Sequence, residues 1–137
     1  RAGVVGAVMA ARRQQVYNAL FTFEGQKIIR HCDDRAISIE ELTDELKNGQ
    51  KTVWLVGDGA LLCNEAMKDR LPAVRLVPEH LRYARGFGVA MAAQRVIDAQ
   101  GTVPPDKLIP TYLRPSQAER EKMALKKRQN DGENKDK

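Results

Sequence analysis

The chain is poor in the residue types that build metal centres, covalent frameworks and membrane spans. Two cysteines, Cys32 and Cys63, and two histidines, His31 and His80, stand in 137 residues. They form neither a disulfide framework nor a zinc-ligand spacing, so no metal or other cofactor is expected. Two isolated thiols suit a reducing compartment. No run of about 18 apolar residues occurs, which excludes a hydrophobic membrane-spanning helix. There is no Gly-Lys-Ser or Gly-Lys-Thr and no three-glycine dinucleotide fingerprint. A formal charge of +5 is mild and spread along the chain, so it permits a nucleic-acid partner without demanding one. No leader pattern is visible, and Arg1-Ala2-Gly3 runs within a few residues into a strand, so a start inside a longer protein is expected.

What is present begins with Val4, Val5, Ala7, Val8 and Met9, an almost continuous apolar run that reads as a strand covered on both faces. Val16, Tyr17, Ala19 and Phe21 give a second strand. The basic corner between them, Arg12-Arg13 followed by Gln14-Gln15, either stays solvated on packed alkyl stems or meets an anionic partner. Glu24-Gly25-Gln26 has the glycine of a hairpin turn and leads to a third strand at Lys27, Ile28 and Ile29. Ser38 with Glu41 three residues on is a capping box. Ile37 and Leu42 are placed as a hydrophobic staple, and Gly49 marks the stop. The helix between presents Ile39, Leu42 and Leu46 to a sheet, with Glu40, Asp44 and Lys47 toward water.

Residues 52–56, TVWLV, read as a fourth, buried strand, so Trp54 is expected in the core. Gly57-Asp58-Gly59-Ala60 turns the chain into a helix that runs to about Lys68 and is ended by Leu71-Pro72. Such a turn either holds a phosphate on free N–H groups or is simply a tight connection. Val74, Leu76 and Val77 form a short strand. Residues 78–100 follow as the longest helix, with Gly101 as its cap. Its small residues Ala84, Gly88 and Ala92 invite close approach of another backbone, either this domain's sheet or a separate body. The order is strand, strand, strand, helix, strand, helix, strand, helix. It implies an α/β domain, a mixed sheet with an antiparallel three-strand meander and packed helices. That order resembles the ribonuclease H-like lobe of actin-like ATPases.

A resemblance to a family rests on an ordered set of short motifs. These are Ala11-Arg12-Arg13 followed by Val16-Tyr17, then Gly57-Asp58-Gly59-Ala60, then Pro110-Thr111-Tyr112-Leu113-Arg114. In this order the chain looks like the C-terminal lobe of bacterial TsaB, also called YeaZ, over residues 1–115. The family usually has an aspartate before Ala-Arg-Arg, where this chain has Ala10, so no acidic role is carried to the corner. The motif residues taken as interaction candidates are Arg12, Arg13, Tyr17, Gly57, Asp58, Gly59, Tyr112 and Arg114, with no catalytic residue among them.

The resemblance implies a cytoplasmic, non-catalytic subunit that supports threonylcarbamoyladenosine modification of tRNA beside the anticodon. Its implied partners are a TsaD-like catalytic subunit and a TsaE-like ATPase, with tRNA met through the complex. An actin-like nucleotide-dependent transferase or kinase is the alternative class, and a glycoprotease-type (M22-like) peptidase the third. For the last, the two histidines complete no Ser-His-Asp or Cys-His set. Residues 116–137 form a charged tail with a second capping box, Ser116 and Glu119. Disorder is expected beyond Gln129, and Lys126-Lys127-Arg128 either touches tRNA phosphates or stays solvated. Self-association is expected too, through the small-residue face of the 78–100 helix and the start of the first strand.

Overall fold

The computed structural model describes residues 3–49 and 51–113. Six strands and four α-helices follow in the order β1 (Val4–Ala10), β2 (Gln15–Glu24), β3 (Lys27–Arg30), β4 (Arg35–Ser38), α1 (Ile39–Lys47), β5 (Val53–Val56), α2 (Ala60–Met67), β6 (Val74–Leu76), α3 (Glu79–Arg82) and α4 (Gly86–Gln100), with a 3-10 turn at Pro105–Lys107 after them. One sheet runs β3-β2-β1-β5-β6, with β4 also paired to β2. β1, β2 and β3 form the antiparallel meander, while β1, β5 and β6 run parallel. The fold is the expected α/β lobe, a mixed sheet with an antiparallel three-strand meander and helices packed on it.

Period-two alternation builds the core. Val8, Val16, Leu20, Val53, Leu55 and Val74 point to one side, where they meet Ile39, Leu42 and Leu46 of α1 and Ala60, Cys63 and Met67 of α2. Burying Leu42 and Leu55 completely is worth about 2 kcal/mol each. The capping box at the start of α1 is formed: the N–H of Glu41 donates to Ser38 Oγ at 3.1 Å, and the Ser38 N–H donates to Glu41 Oε2 at 3.1 Å. The Ser38 hydroxyl, and then its N–H, hold the Glu41 carboxyl below its ordinary pKa. Exposed pairs, Arg70 with Asp44 and Lys68 with Glu65, decorate the outer helix surfaces.

Among the described residues, no helix is laid across the second face of the sheet. β1 is therefore not covered on both sides as expected: Met9 is 59% exposed while Val8 is buried. Trp54 is likewise not in the core. It lies on β5, the fifth strand rather than the fourth, and is 40% exposed, because Val53 and Leu55 take the core side and alternation turns Trp54 away. Its ring packs on the close-lying backbone of Gly3, where a Cβ would stand 3.0 Å from Cδ1. β4 was not foreseen. It pairs Arg35–Ser38 with Gln15–Asn18, and a half-buried polar link accompanies the pairing. Arg35 Nη2 donates to Asn18 Oδ1 at 3.2 Å and pairs with Glu45 at 2.8 Å, while Asn18 Nδ2 donates to the Ala7 carbonyl.

The expected helix over residues 78–100 is broken in two. Tyr83 and Arg85 are extended, with ψ of 147° and 148°. The break has a tertiary cause: the Gly57 N–H donates to the Arg82 carbonyl at 2.8 Å, and the Arg82 guanidinium turns back to the Val77 carbonyl. α4 buries no residue, and at Gly88 an added Cβ would meet nothing within 4 Å. Of the two partners considered for its small residues, the sheet of this domain is thereby ruled out in this conformation.

Candidate functional site

The candidate residues gather at one end of the sheet, beyond the carboxyl ends of the parallel strands β1 and β5, which is where open α/β sheets usually bind ligands. The chain leaves β1 through Arg12-Arg13 and leaves β5 through the glycine turn. Arg13 and Gln14 have φ of +62° and +59°, the left-handed geometry that lets a tight hairpin follow the strand twist. Ala11 N–H closes that corner on the Gln15 carbonyl at 3.0 Å. Both arginines are exposed.

The glycine turn is bound to the end of β1. Asp58 Oδ1 accepts from the Ala10 N–H at 3.0 Å, and the Gly59 N–H donates to the Val8 carbonyl at 3.2 Å. A Cβ on Gly57, whose φ is +109°, would lie 2.0 Å from that carbonyl oxygen. A Cβ on Gly59 would lie 3.0 Å from Ala10 N. Only glycine fits at Gly57, whereas at Gly59 a Cβ requires the end of β1 to give by a few tenths of an ångström. The N–H groups of Gly57, Gly59 and Ala60 donate to the carbonyls of Arg82, Val8 and Gly57. The turn is thus a closed joint between two strands, with these three amides engaged by protein oxygens.

Beside this joint, on the second face of the sheet, lies a cavity of about 910 Å³. β1 and β2 supply its floor through Ala7, Met9, Tyr17 and Phe21. Arg82, Tyr83 and Ala84 form one rim and Thr111, Tyr112 and Leu113 the other. Of the sequence candidates, Tyr17, Gly57, Asp58 and Tyr112 meet here, and Arg12, Arg13 and Gly59 are outside the lining. Arg114 lies outside the described residues, as does the whole tail with its Lys126-Lys127-Arg128 cluster and second capping box. Met9, Phe21, Arg82 and Tyr83 were not singled out from sequence. The alternation that puts Met9, Tyr17 and Phe21 on one face was the available signal.

Two other places hold polar chemistry. Thr22 Oγ1 and His31 Nε2 are 2.8 Å apart in a cavity of about 250 Å³ that Glu45 and Lys51 also line. Cys63 is fully buried, and burial pushes its thiol up to about 11. Among the described residues, no group of three His, Cys, Asp or Glu side chains is placed to hold a metal ion. No helix among them is long and apolar enough to cross a membrane.

No protein-family model matches the chain, and no curated protein matches it. Solved structures do. One is a crystal structure described as an uncharacterized protein with similarity to peptidase YEAZ from Pseudomonas aeruginosa, with a TM-score of 0.61 and 18% identity over 82% of this chain. The chain has the fold of that YeaZ-like protein. It spans 50% of the neighbour's length.

Proposed function

We propose that this chain is a non-catalytic, TsaB-like subunit that works by contact, supporting threonylcarbamoyladenosine modification of tRNA as the partner of a TsaD-like catalytic subunit, in the cytoplasm. A TsaE-like ATPase completes the assembly, and tRNA is met through the complex. The observation that carries this reading is the closed glycine turn. Three N–H groups of the turn, those of Gly57, Gly59 and Ala60, already donate to protein carbonyls, which leaves fewer donors to hold a phosphate. That disfavours the nucleotide-dependent transferase or kinase class. The YeaZ-like fold and the large uncovered apolar surface both suit a subunit whose work is association.

Sedimentation of the chain mixed with a TsaD-like catalytic subunit tests the reading, with co-migration as the expected result. Calorimetric titration with ATP and ADP separates it from the alternative, since micromolar binding of either nucleotide by the chain alone would restore the kinase class. The peptidase class keeps one point in its favour, the word in the neighbour's description. Casein digestion by the purified chain, lost in Thr22→Val, would establish it.

A further inference from the structure

At the other end of the parallel strands, away from the glycine turn, the smaller cavity of about 250 Å³ opens where β1 and β5 begin. Val4, Leu20, Leu46 and Val53 line it with apolar surface, and the last three are buried. Its polar lining is Thr22, His31, Glu45 and Lys51. Thr22 is buried, whereas His31, Glu45 and Lys51 are exposed. The ionisable groups thus stand at the mouth, and the hydrocarbon lies below them. The volume is under the roughly 300 Å³ at which pockets for drug-sized ligands begin, which limits an occupant to a small metabolite.

Two groups of opposite charge at the mouth are held differently. Glu45 stands in the last turn of α1, and its Oε2 pairs with Arg35 Nη2 at 2.8 Å. The same guanidinium is anchored on Asn18 Oδ1. That pairing fixes the carboxylate and leaves its Oε1 for a second cation. The carbonyl end of a helix favours positive charge as well. Lys51, two residues before β5, takes part in no ion pair among the described residues. Thr22 Oγ1 lies 2.8 Å from His31 Nε2. With Nε2–H donating, the Thr22 hydroxyl proton is left to donate to a ligand oxygen.

A simple anion would be attracted by Lys51 and opposed by Glu45, and a simple amine would meet the reverse. A molecule that carries both charges satisfies both. We infer that this cavity binds a free α-amino acid with a small apolar side chain. Its ammonium group lies on Glu45, its carboxylate on Lys51 and the Thr22 hydroxyl, and its side chain on the floor of Val4, Leu20, Leu46 and Val53. The ligand's charges stay near water, which avoids the cost of burying them, while its hydrocarbon leaves water. None of these residues lines the larger cavity at the opposite end of the strands, so the binding is separate from any role of the glycine turn.

Carbon–proton NMR of the full 137-residue chain, titrated with L-valine, L-leucine and L-methionine, tests the site. At least one of the three is expected to shift the methyl signals of Val4, Leu20, Thr22, Leu46 and Val53 saturably, with a dissociation constant below about 10 mM. The matching amine without the carboxylate and the matching acid without the ammonium group, isoamylamine and isocaproate for leucine, should each bind at least about tenfold more weakly. Lys51→Met and Glu45→Gln should weaken the amino acid by a similar factor. Lys51→Met should leave the amine unaffected, and Glu45→Gln the acid. Both positions are exposed, and unchanged circular dichroism melts will show that each variant folds. If Glu45→Gln melts lower through its link to Arg35, Lys51→Met, which has no ion pair to lose, decides the test. Absence of a saturable shift with all three amino acids up to about 10 mM overturns the inference. So does an amine or acid that binds as tightly as the amino acid, or an affinity indifferent to Lys51→Met, which would mark binding elsewhere.

Discussion

The N–H of Ala10 donates to Oδ1 of Asp58 across 3.0 Å, tying the last residue of β1 to the glycine turn that follows β5. The same turn reaches β1 a second time through Gly59 and Val8. Two neighbouring parallel strands are thus locked at their carboxyl ends, and the cavity wall is built on that lock. Gly57→Ala should therefore be severe. Its Cβ would stand 2.0 Å from the Val8 carbonyl oxygen at a φ of +109°, and strain of this kind costs about 3 kcal/mol. Asp58→Ala should cost about 1 kcal/mol, the worth of one hydrogen bond, and Asp58→Asn, which keeps the acceptor, much less. Urea melts of the three variants check this order.

At the basic corner, Arg13 has a φ of +62° and an exposed side chain. Removing the side chain leaves the backbone strain in place, so Arg13→Ala should shift stability by no more than about 0.5 kcal/mol. Arg13→Gly relieves left-handed strain of about 1 kcal/mol, partly offset by the greater freedom of glycine when unfolded. Thermal melts should thus rank Arg13→Gly above both wild type and Arg13→Ala.

These two corners show what the sequence made readable. The features fixed by neighbouring residues were all visible: the Ser38–Glu41 box, the Gly25 hairpin and the Gly57 turn. Those decided by distant partners were not. β4 is four residues long, and its strand character comes from pairing with Gln15–Asn18. The helix break at Tyr83 lacks any proline or glycine and follows from the grip of Gly57 on the Arg82 carbonyl. Trp54 looked buried because a short apolar run gives no clue that one side of its sheet goes uncovered. The candidate site was half legible for the same reason: its motif residues stood out, but Met9, Phe21 and Tyr83 join it through sheet register and chain return.

The capping box predicts an acid response. Glu41 has its pKa lowered from 4.5 by the Ser38 hydroxyl and then the Ser38 N–H. A depressed folded value adds stability that is present above the unfolded value and lost as pH falls through the folded one. Ser38→Ala should melt lower than wild type at neutral pH, and the gap should narrow below pH 4.5.

The two thiols should behave differently. Cys63 is fully buried, with its thiol raised from 9.0 to about 11 by desolvation, whereas Cys32 is half-buried. An aromatic disulfide reagent at pH 8 should modify Cys32 in the native state and Cys63 only on unfolding. Because the folded value of Cys63 is the higher one, its contribution is complete below pH 9.0 and is lost as pH rises toward 11. Cys63→Ala should flatten that alkaline limb, as read from melts across the same range.

α4 should be the least protected regular element of the chain. α4 has 15 residues and buries none of them, and isolated helices of this length are marginal in water. Gly86 and Gly88 weaken it further by about 1 kcal/mol each relative to alanine. Backbone amides of α4 should then exchange with deuterium far faster than those of β1 or α2, at protein concentrations low enough to keep the chain monomeric. Gly88→Ala meets no neighbour within 4 Å, so it should slow exchange in α4 alone and leave the global melting temperature unchanged. Protection of α4 equal to that of β1 in the dilute wild type would mean that the helix already rests on something within its own chain.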